Sequence, residues 1–480
     1  MQAVLEAALG AVLERHIERA APASLALWSL RGLEVLEPLL RAEVRGDILV
    51  LAGPTDAPLA VRPLPAPPPA APPEAAAPAL ADALAAAFEA AWRASPPLRR
   101  AGPERMLSSA FEELFNRLDP YSRYLTPEEA QAARVRRVGQ AGLGLRLGAG
   151  RGDRVVVASL APNGPAAAAG VRLGDRVLAV DGVRVSARDL GFAATLLEGP
   201  AGTDVQLRLE RDRRRRTVLL QRLLAPAALV RSERRDGLLW LRVEGFADGI
   251  DGRLAAALAA GVESPDTRGV VLDLRGNRGG LLSQAVAVAS AFLSGGVVAR
   301  TTGRHPDAVR LWQASGPDLA DGLPLVVLVD GRSASAAEIV AAALGGRGRA
   351  VVVGSATTGK GLIQAVVPLP DGGELLVTWS QVLGPGGWPI QGVGVLPAVC
   401  TSLGVEALAE ELARLRRGAA PATGGAPAPA RARALPPPAS AVEVAALRAT
   451  CPPAEGRDAD LAMARALLDS PAAYTAALLP

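Results

Sequence analysis

An apolar run of strand length ends in a glycine-rich loop at residues 270–280, VVLDLRGNRGG. The same arrangement returns twice further along the chain, as LVVLVDGRSAS at residues 325–335 and as AVVVGSATTGKG at residues 350–361. A segment that can form an apolar helix follows each of the first two loops. The alternation of strands with helices predicts a parallel β-sheet within an α/β fold.

These three loops are expected to meet at one edge of the sheet. Strands joined by helical crossovers run in the same direction, and α/β folds bind ligands at the edge where such strands end. The first loop brings backbone amides, the second brings Ser333 and Ser335, and the third brings Lys360. A hydroxyl, an amine and free amides are the components of a serine–lysine acyl-transfer site.

Lys360 is the one lysine of the chain, beside 51 arginines. An arginine stays protonated at any working pH, whereas a lysine can lose its proton when a protein buries it. An exposed lysine has a pKa of about 10.4, so only about one in 10³ is neutral at pH 7. Lys360 can therefore act as a base for a serine hydroxyl only if the fold buries it, and it can equally be a compositional remnant.

The same sheet edge offers donors for the oxyanion of an acyl-transfer intermediate. We expect backbone amides of the Gly279-Gly280 turn and of Ala336 to supply them. In known enzymes one such donor contributes about 3–4 kcal/mol to transition-state stabilisation.

Each of these features has a second interpretation. Ser335 is followed three positions later by Glu338, which also fits a capping box at an ordinary helix start. Glycine-rich loops often bind phosphates, but Gly361 follows Lys360, so the phosphate-binding motif GxxxxGK[ST] is missing.

The composition excludes several other classes of protein. The 480 residues are 50% hydrophobic and carry a net charge of +4, and no basic stretch is interleaved with aromatic residues. Nucleic-acid binding is therefore disfavoured. The arginine-rich run at residues 211–216 is predicted to be a solvated hairpin tip between alternating strands. No apolar run reaches the roughly 18 residues of a transmembrane helix.

The cysteines and histidines do not suggest a metal site. Cys400, Cys451, His16 and His305 are too scattered for the usual zinc-ligand spacings, so no metal or cofactor is predicted. The two cysteines can form a disulfide in an oxidising compartment or remain free thiols. The N-terminus forms an amphipathic helical pattern and lacks the basic start of a signal peptide.

Two further regions have a clear pattern. Residues 104–118 place apolar side chains on one helical face, and Asp119-Pro120 is expected to end that helix. Residues 139–224 contain short strands and glycine turns, with a hairpin predicted at Asp181-Gly182.

Several ordered segments together resemble the C-terminal processing peptidases, also called tail-specific proteases, which carry a PDZ domain and a serine–lysine site. The likeness spans about residues 107–399. The matching segments are LDPYSRYLTPEE (118–129), GLGL (142–145), AGVRLGDRVLAVDG (169–182), LDLRGNRGGLL (272–282), SASAAE (333–338), GKGLIQ (359–364), PDGG (370–373) and IQGVG (390–394).

The resemblance implies a role for individual residues. It places the nucleophile on Ser335, the general base on Lys360, and the side chain that orients the lysine amine on Gln364. The oxyanion amides fall on Ala336 and on the turn formed by Gly279 and Gly280, with the donor glycine left open. The loop of the PDZ domain that binds peptides is formed by four residues: Gly142, Leu143, Gly144 and Leu145.

The resemblance also implies a multidomain α/β fold, in which a β-rich PDZ domain precedes a crotonase/Clp-like β/α protease core. Helical segments stand at both ends. The predicted divisions are an N-terminal helical segment (1–62), a linker rich in proline and alanine (63–79), a helical region (80–138), the PDZ domain (139–225), the serine peptidase core (226–405), a second linker (406–440) and a C-terminal helical tail (441–480).

The implied function is that of a serine endopeptidase that cleaves proteins at or near their C-terminal tails with a Ser–Lys dyad. Its PDZ domain would bind the substrate C-terminus, and its partners would be proteins or peptides with free C-termini. A homo-oligomer and a location in the cell envelope or periplasm are expected. The alternative is a non-catalytic PDZ scaffold derived from such a protease, against which the retention of Ser335 and Lys360 argues.

The chain departs from the family pattern at four positions. Arg278 stands where proline is frequent, Ala337 where serine is frequent, Thr358 where phenylalanine is frequent and Ala398 where aspartate is usual. Arg278 and Thr358 are expected to line the site, so these two departures bear on substrate preference.

Overall fold

The structure is a computed structural model that describes residues 1–53, 58–65, 70–138, 140–150, 152–160, 164–197, 202–225, 229–419, 428–435 and 439–478. The chain forms two compact units. The first comprises Met1–Ala132, Val230–Phe246 and Asp251–Pro480, and the second comprises Ala133–Leu229 and Ala247–Ile250. Both helices and sheets build these units, which confirms the predicted multidomain α/β class.

The helices are α1 (Gln2–Arg15), α2 (Pro22–Leu36), α3 (Ala77–Ala94), α4 (Pro96–Leu118), α5 (Pro127–Val138), α6 (Pro165–Ala168), α7 (Leu190–Thr195), α8 (Ile250–Val262), α9 (Leu282–Ser290), α10 (Ala336–Gly346), α11 (Val405–Arg416), α12 (Ala428–Arg433), α13 (Ala441–Ala449), α14 (Asp458–Leu468) and α15 (Pro471–Ala477).

The strands are β1 (Arg41–Arg45), β2 (Ile48–Ala52), β3 (Pro58–Pro63), β4 (Arg123–Leu125), β5 (Gln140–Gly142), β6 (Leu145–Ala149), β7 (Val155–Leu160), β8 (Arg176–Val180), β9 (Val183–Arg184), β10 (Asp204–Arg211), β11 (Arg214–Gln221), β12 (Leu223–Ala225), β13 (Val230–Arg235), β14 (Leu238–Val243), β15 (Gly269–Asp273), β16 (Val297–Thr302), β17 (Arg310–Gln313), β18 (Leu325–Val329), β19 (Val351–Gly354), β20 (Leu362–Pro368), β21 (Glu374–Leu383) and β22 (Val399–Cys400).

The central sheet of the first unit has the strand order β13-β14-β15-β18-β19-β22. From β14 to β22 all neighbouring strands are parallel, and β13 is antiparallel to β14. Strands β15, β18 and β19 are buried along their whole length, as expected for strands with continuous apolar sequence. The predicted parallel sheet is confirmed, and the three glycine-rich loops all follow the carboxyl ends of its strands.

The C-terminal helices cover one face of this sheet. Met463 and Leu467 of α14 belong to the same apolar core as Val271 of β15, Val326 of β18 and Val353 of β19. The region predicted as a linker at residues 406–440 differs in part, because residues 405–416 form helix α11. Its apolar side chains Leu408, Leu412 and Leu415 recur at helical spacing and join the same core.

The N-terminal helices α1–α4 share a second apolar core with strand β21. Helix α4 ends at Leu118 with Asp119 as its C-cap, as predicted, and it buries the expected face, which includes Met106, Phe111 and Leu114. The chain then enters β4, which pairs with β21 of a second sheet whose order is β17-β16-β21-β20. This pairing brings the segment at residues 118–125 beside the strands that follow Lys360.

The second unit contains the sheet β11-β10-β8-β7-β6, with β9 paired to β8. The predicted hairpins are confirmed: Asp181 and Gly182 take positive φ between β8 and β9, and Arg211 pairs with Arg214 at the tip between β10 and β11. Strand β6 is the last strand at one end of this sheet, and helix α7 lies against it.

No helix within the described ranges is both long and apolar enough to span a membrane.

Candidate active site

Ser335 occupies a strained backbone position at the junction between the loop after β18 and helix α10. Its φ is 56° and its ψ is −116°, a conformation that residues with a β-carbon rarely adopt. Such positions cost of order 1–3 kcal/mol and persist only where surrounding contacts enforce them. The strain points to a functional requirement at Ser335 rather than to an ordinary helix start.

The neighbouring Ser333 is committed to the loop itself. Its side chain is fully buried, and its Oγ donates to the carbonyl oxygen of Leu274 at 2.9 Å. The same Oγ accepts from the backbone N–H of Asp330 at 3.0 Å. Ser333 therefore holds the loop after β18 against the end of β15, which leaves Ser335 as the candidate nucleophile of the pair.

Gly279 brings the first glycine-rich loop directly against Ser335. Its φ is 98°, and a β-carbon added there would lie 2.8 Å from Ser335 Cβ and 3.0 Å from the backbone nitrogen of Ala336. Asn277 fixes this approach from both sides: its Oδ1 accepts from Gly279 N at 2.8 Å, and its carbonyl accepts from Ala334 N at 2.9 Å. Only glycine fits between these loops.

Two backbone N–H groups remain available beside Ser335. The Gly279 N–H is used by Asn277, whereas the N–H groups of Gly280 and Ala336 make none of the hydrogen bonds found in the described ranges. The Gly280 backbone is fixed because Phe246 N donates to Gly279 O at 3.1 Å and Leu281 N donates to Phe246 O at 2.7 Å. The Ala336 N–H belongs to the first turn of α10, where helix donors lack internal partners.

Glu338 joins the serine helix to the lysine loop. Its carboxylate is fully buried, and its Oε2 accepts from the backbone N–H of Ser335 at 2.8 Å and from that of Lys360 at 2.9 Å. Its Oε1 accepts from the N–H of Gly359 at 2.6 Å and from the hydroxyl of Thr357 at 2.5 Å. One carboxylate oxygen therefore lies within hydrogen-bond distance of the backbone of both predicted catalytic residues.

The Glu338 carboxylate carries two opposing influences. Burial raises its pKa, because a charge is disfavoured away from water. The four donors that it accepts from favour the charged form and oppose this effect. The capping-box interpretation is therefore correct but incomplete. Glu338 accepts from the Ser335 N–H, and the same carboxylate also binds the lysine loop.

The Lys360 amine lies in surroundings that disfavour its charge. Burial lowers its pKa, the nearby positive charge of Arg123 lowers it further, and Glu338 opposes both effects. The Nζ atom stands 5.2 Å from the ring centroid of Tyr121, whose face stabilises a cation when one forms. Tyr121 and Arg123 belong to the segment at residues 118–129, one of those that resemble the family. Nothing in the sequence indicated that this segment lies beside Lys360.

Gln364 lies on β20, and its amide nitrogen donates to Leu362 O at 3.3 Å and to Thr378 Oγ1 at 3.2 Å. A hydrogen bond between Gln364 and the Lys360 amine is not among those of the described residues. Thr378 in turn donates to Asp119 at 2.8 Å, which also pairs with the buried His16 at 3.0 Å. The hydrogen bonds to Asp119 outweigh its burial and lower its pKa.

The two departures from the family pattern take different positions. Arg278 is exposed on the first loop. Thr358 is also exposed, but its N–H donates to Ser333 O at 3.0 Å and its hydroxyl donates to Gly331 O at 3.0 Å. Thr358 thereby ties the lysine loop to the serine loop.

The predicted peptide-binding residues lie in the second unit. Gly142 ends β5 and Leu145 begins β6. Between them, Gly144 has a φ of 71°, and Leu143 is buried with its carbonyl accepting from Ala166 N at 2.9 Å. The four residues thus form a tight turn that leads into the edge strand β6.

Comparison with known proteins agrees with these two units. The model of peptidase family S41 matches residues 237–400, and that of the PDZ domain matches residues 156–211. A carboxy-terminal-processing protease of Bartonella bacilliformis is 34% identical over 303 residues, which cover 62% of this chain and 69% of that protein. The chain belongs to the carboxy-terminal-processing protease family. The resemblance drawn from the sequence is confirmed.

Other relatives of this family include a chloroplastic C-terminal processing peptidase of Tetradesmus obliquus, which is 35% identical over 306 residues, or 58% of this chain and 64% of that protein. The solved structure of a photosystem II D1 C-terminal processing protease is 29% identical and covers 65% of this chain and 90% of that one, with a TM-score of 0.38. As a member of the carboxy-terminal-processing protease family, the chain is a serine-type peptidase with a PDZ domain.

The lowered pKa of Lys360 predicts a pH-dependent gain in stability on its removal. The folded state binds fewer protons than the unfolded state between the lowered pKa and the ordinary value of 10.5, so its stability rises with pH in that window. We expect Lys360→Met to raise the free energy of unfolding most below the lowered pKa, with the gain shrinking as pH approaches 10.5. Denaturant unfolding across this pH range measures it.

Arg278→Met is the control, since it removes an exposed positive charge and leaves the buried amine of Lys360 in place. A gain for Lys360→Met that is independent of pH, or that Arg278→Met reproduces, would contradict the desolvation of Lys360.

Proposed function

We propose that this protein is an endopeptidase that cleaves protein substrates at or near their C-terminal tails with Ser335 as nucleophile and Lys360 as general base. The observation that carries the proposal is the bond of one Glu338 oxygen to the backbone of both residues. The strained φ of Ser335 and the lowered pKa of Lys360 support the same roles. The family membership supplies the reaction class.

The reaction follows from the groups present. The neutral Lys360 amine takes the proton of Ser335 Oγ as that oxygen attacks the scissile carbonyl carbon. The carbonyl oxygen becomes an oxyanion, which the N–H groups of Gly280 and Ala336 bind. The C–N bond then breaks as the protonated lysine gives its proton to the leaving amine. Water attacks the acyl-enzyme with Lys360 again acting as base, and the lysine returns this proton to Ser335 Oγ as the ester bond breaks.

Gly280 is the preferred oxyanion donor of the two glycines, because the Gly279 N–H already donates to Asn277. Gly279 contributes differently: its lack of a side chain lets the loop come against Ser335. The ring of Tyr121 stabilises Lys360 in its protonated state, which forms as the serine is deprotonated.

Gln364 keeps its proposed role as the side chain that orients the lysine amine. Its amide nitrogen is anchored by Leu362 O and Thr378 Oγ1, so its carbonyl oxygen is the atom that can accept from Lys360 Nζ.

We further propose that the PDZ domain binds the C-terminus of the substrate. The support is the edge strand β6, to which an extended peptide can add antiparallel, with helix α7 beside it. The turn Gly142–Leu145 stands at the start of that strand, where backbone amides can receive a terminal carboxylate. The partly buried side chains Leu145, Leu147 and Leu190 indicate a preference for an apolar terminal residue.

The proposed location is the cell envelope or periplasm. Cys400 and Cys451 form a disulfide across a Cα–Cα distance of 5.8 Å, and such bonds persist in oxidising compartments. Homo-oligomerisation stays a prediction.

Protein isolated from its native cell under thiol-blocking conditions should show no free thiol, and two alkylated cysteines would contradict this location.

Substitution of the two proposed catalytic residues tests the protease against a non-catalytic scaffold. Ser335→Ala and Lys360→Arg should each lower cleavage of an unfolded substrate that ends in small apolar residues by at least about 10³-fold, because residues that act as a unit fail together. The readout is the initial rate of product formation by mass spectrometry. Ser333→Ala is the control, and we expect it to lower stability and to lose far less cleavage than Ser335→Ala, since its hydroxyl supports the loop and is not a proposed reacting group. If wild type cleaves no faster than both variants, Ser335 and Lys360 do not catalyse cleavage, and the non-catalytic PDZ scaffold is favoured.

Blocking the substrate carboxylate tests the PDZ proposal. C-terminal amidation should lower kcat/KM by at least about tenfold, mainly through KM, because a charge-assisted contact is lost. N-terminal acetylation of the same peptide is the control and should have no effect. Equal cleavage of amidated and free peptides would show that the terminus is not bound.

A further inference from the structure

The part of the chain after the matched peptidase region crosses the carboxyl edge of the central sheet. We call residues 448–460 the tail segment; the family model ends at residue 400. The tail segment contacts the loop after β18, where Ala454 O accepts from Gly331 N at 2.8 Å and Gly456 N donates to Asp330 at 3.0 Å. It therefore touches the loop that leads to Ser335.

The tail segment also contacts the other two loops of the site. The guanidinium of Arg275, in the loop after β15, donates to Arg457 O at 2.9 Å and to Asp460 at 3.1 Å. In the loop after β19, Ser355 Oγ donates to Ala454 O at 3.0 Å. All three loops that form the candidate site are thus bound to one segment of the C-terminal region.

Arg448 contacts the loop that carries the lysine. It stands near the end of α13, and its guanidinium donates to Thr357 O at 2.8 Å and to Val393 O at 2.9 Å. The hydroxyl of Thr357 donates to Glu338, whose other oxygen accepts from Ser335 N and Lys360 N. Arg448 is therefore linked to both proposed catalytic residues through Thr357 and the Glu338 carboxylate.

The charge of Arg448 acts on the same carboxylate. Glu338 and Arg448 attract each other, and so do Glu338 and Lys360. When Lys360 is neutral, as a general base must be, its attraction to Glu338 disappears. Arg448 cannot lose its proton in any working pH range, so it continues to favour the charged form of Glu338.

The charged form of Glu338 matters because its oxygens serve four donors at once. A protonated carboxyl group could keep the Thr357 contact by donating to that hydroxyl, which can also accept. The backbone N–H groups of Ser335, Gly359 and Lys360 would then bind a neutral group, and their charge-assisted hydrogen bonds would weaken. The disulfide between Cys400 and Cys451 joins the chain three residues after Arg448 to strand β22.

We propose that Arg448 is a positioning residue for the Ser335–Lys360 pair, which acts by bracing the lysine loop and by keeping Glu338 charged. This inference rests on the proposed function. It assigns a role in the reaction to the C-terminal region, which lies outside the matched peptidase residues.

Arg448→Met in the full chain tests it, with Arg433→Met as the matched control. Arg433 is also a partly buried arginine of the C-terminal region that donates to a backbone carbonyl, Gly345 O at 2.9 Å, but it does so at the far end of α10. We expect Arg448→Met to lower kcat by about 10–100-fold with less than about threefold change in KM. Arg433→Met should leave both within about threefold.

The pH profile separates positioning from a general loss of stability. Among the described residues, the charged groups that act on Glu338 are Lys360 and Arg448, and Arg123 acts on Lys360 in turn. Without Arg448 the pKa of Glu338 rises, so log(kcat/KM) should begin its steep acidic fall at a higher pH than in wild type. Arg448→Lys, which restores the charge, should return the profile most of the way, and hydrogen exchange at residues 354–361 should quicken in Arg448→Met alone.

The outcomes are distinct. If Ser335→Ala and Lys360→Arg are as active as wild type, the proposed function fails and this inference fails with it. If those two variants are inactive but Arg448→Met matches Arg433→Met in kcat, pH profile and exchange, the proposed function stands and the role of Arg448 is overturned.

Discussion

A single buried carboxylate holds the candidate site together. Glu338 accepts hydrogen bonds from Ser335, the N-cap of helix α10, and from the loop that carries the lysine, and it thereby strengthens a link between two loops that Thr358 also joins. Burial works against the charge that these bonds need. The donors around Glu338 must therefore all be in place, and the loops that supply them are fixed by Asn277, Ser333 and Thr358.

Much of this arrangement could be predicted from the sequence. Continuous apolar runs alternating with helices require a parallel sheet, and the topology then places the loops of Gly279, Ser335 and Lys360 at one edge without further information. The order of the short motifs indicated the carboxy-terminal-processing protease family. The spacing of Ser335 and Glu338 allowed two interpretations, a helix cap or a catalytic junction, and the structure shows that Glu338 caps the helix start and also binds the lysine loop with the same carboxylate.

Other parts could not be predicted, because they depend on contacts between distant segments. Tyr121 reaches Lys360 only because β4 pairs with β21, a pairing that no local pattern encodes. Arg448 lies in the predicted C-terminal helical tail, where one arginine among the 51 of the chain gave no signal. The helix at residues 405–416 was missed for a different reason. Its sequence, VEALAEELARLR, consists of good helix formers with leucines at helical spacing, but the predicted linker begins too early, ahead of the stretch rich in proline, alanine and glycine that follows the helix.

The backbone of Ser335 has a consequence for how this chain can change. A glycine would adopt the same dihedral angles without a steric penalty, so relaxing the junction is a one-residue step that also deletes the hydroxyl. Selection for thermal robustness alone would favour that replacement. Under the proposed function the same replacement would remove the nucleophile, so a serine at this position favours catalysis at the expense of folding stability.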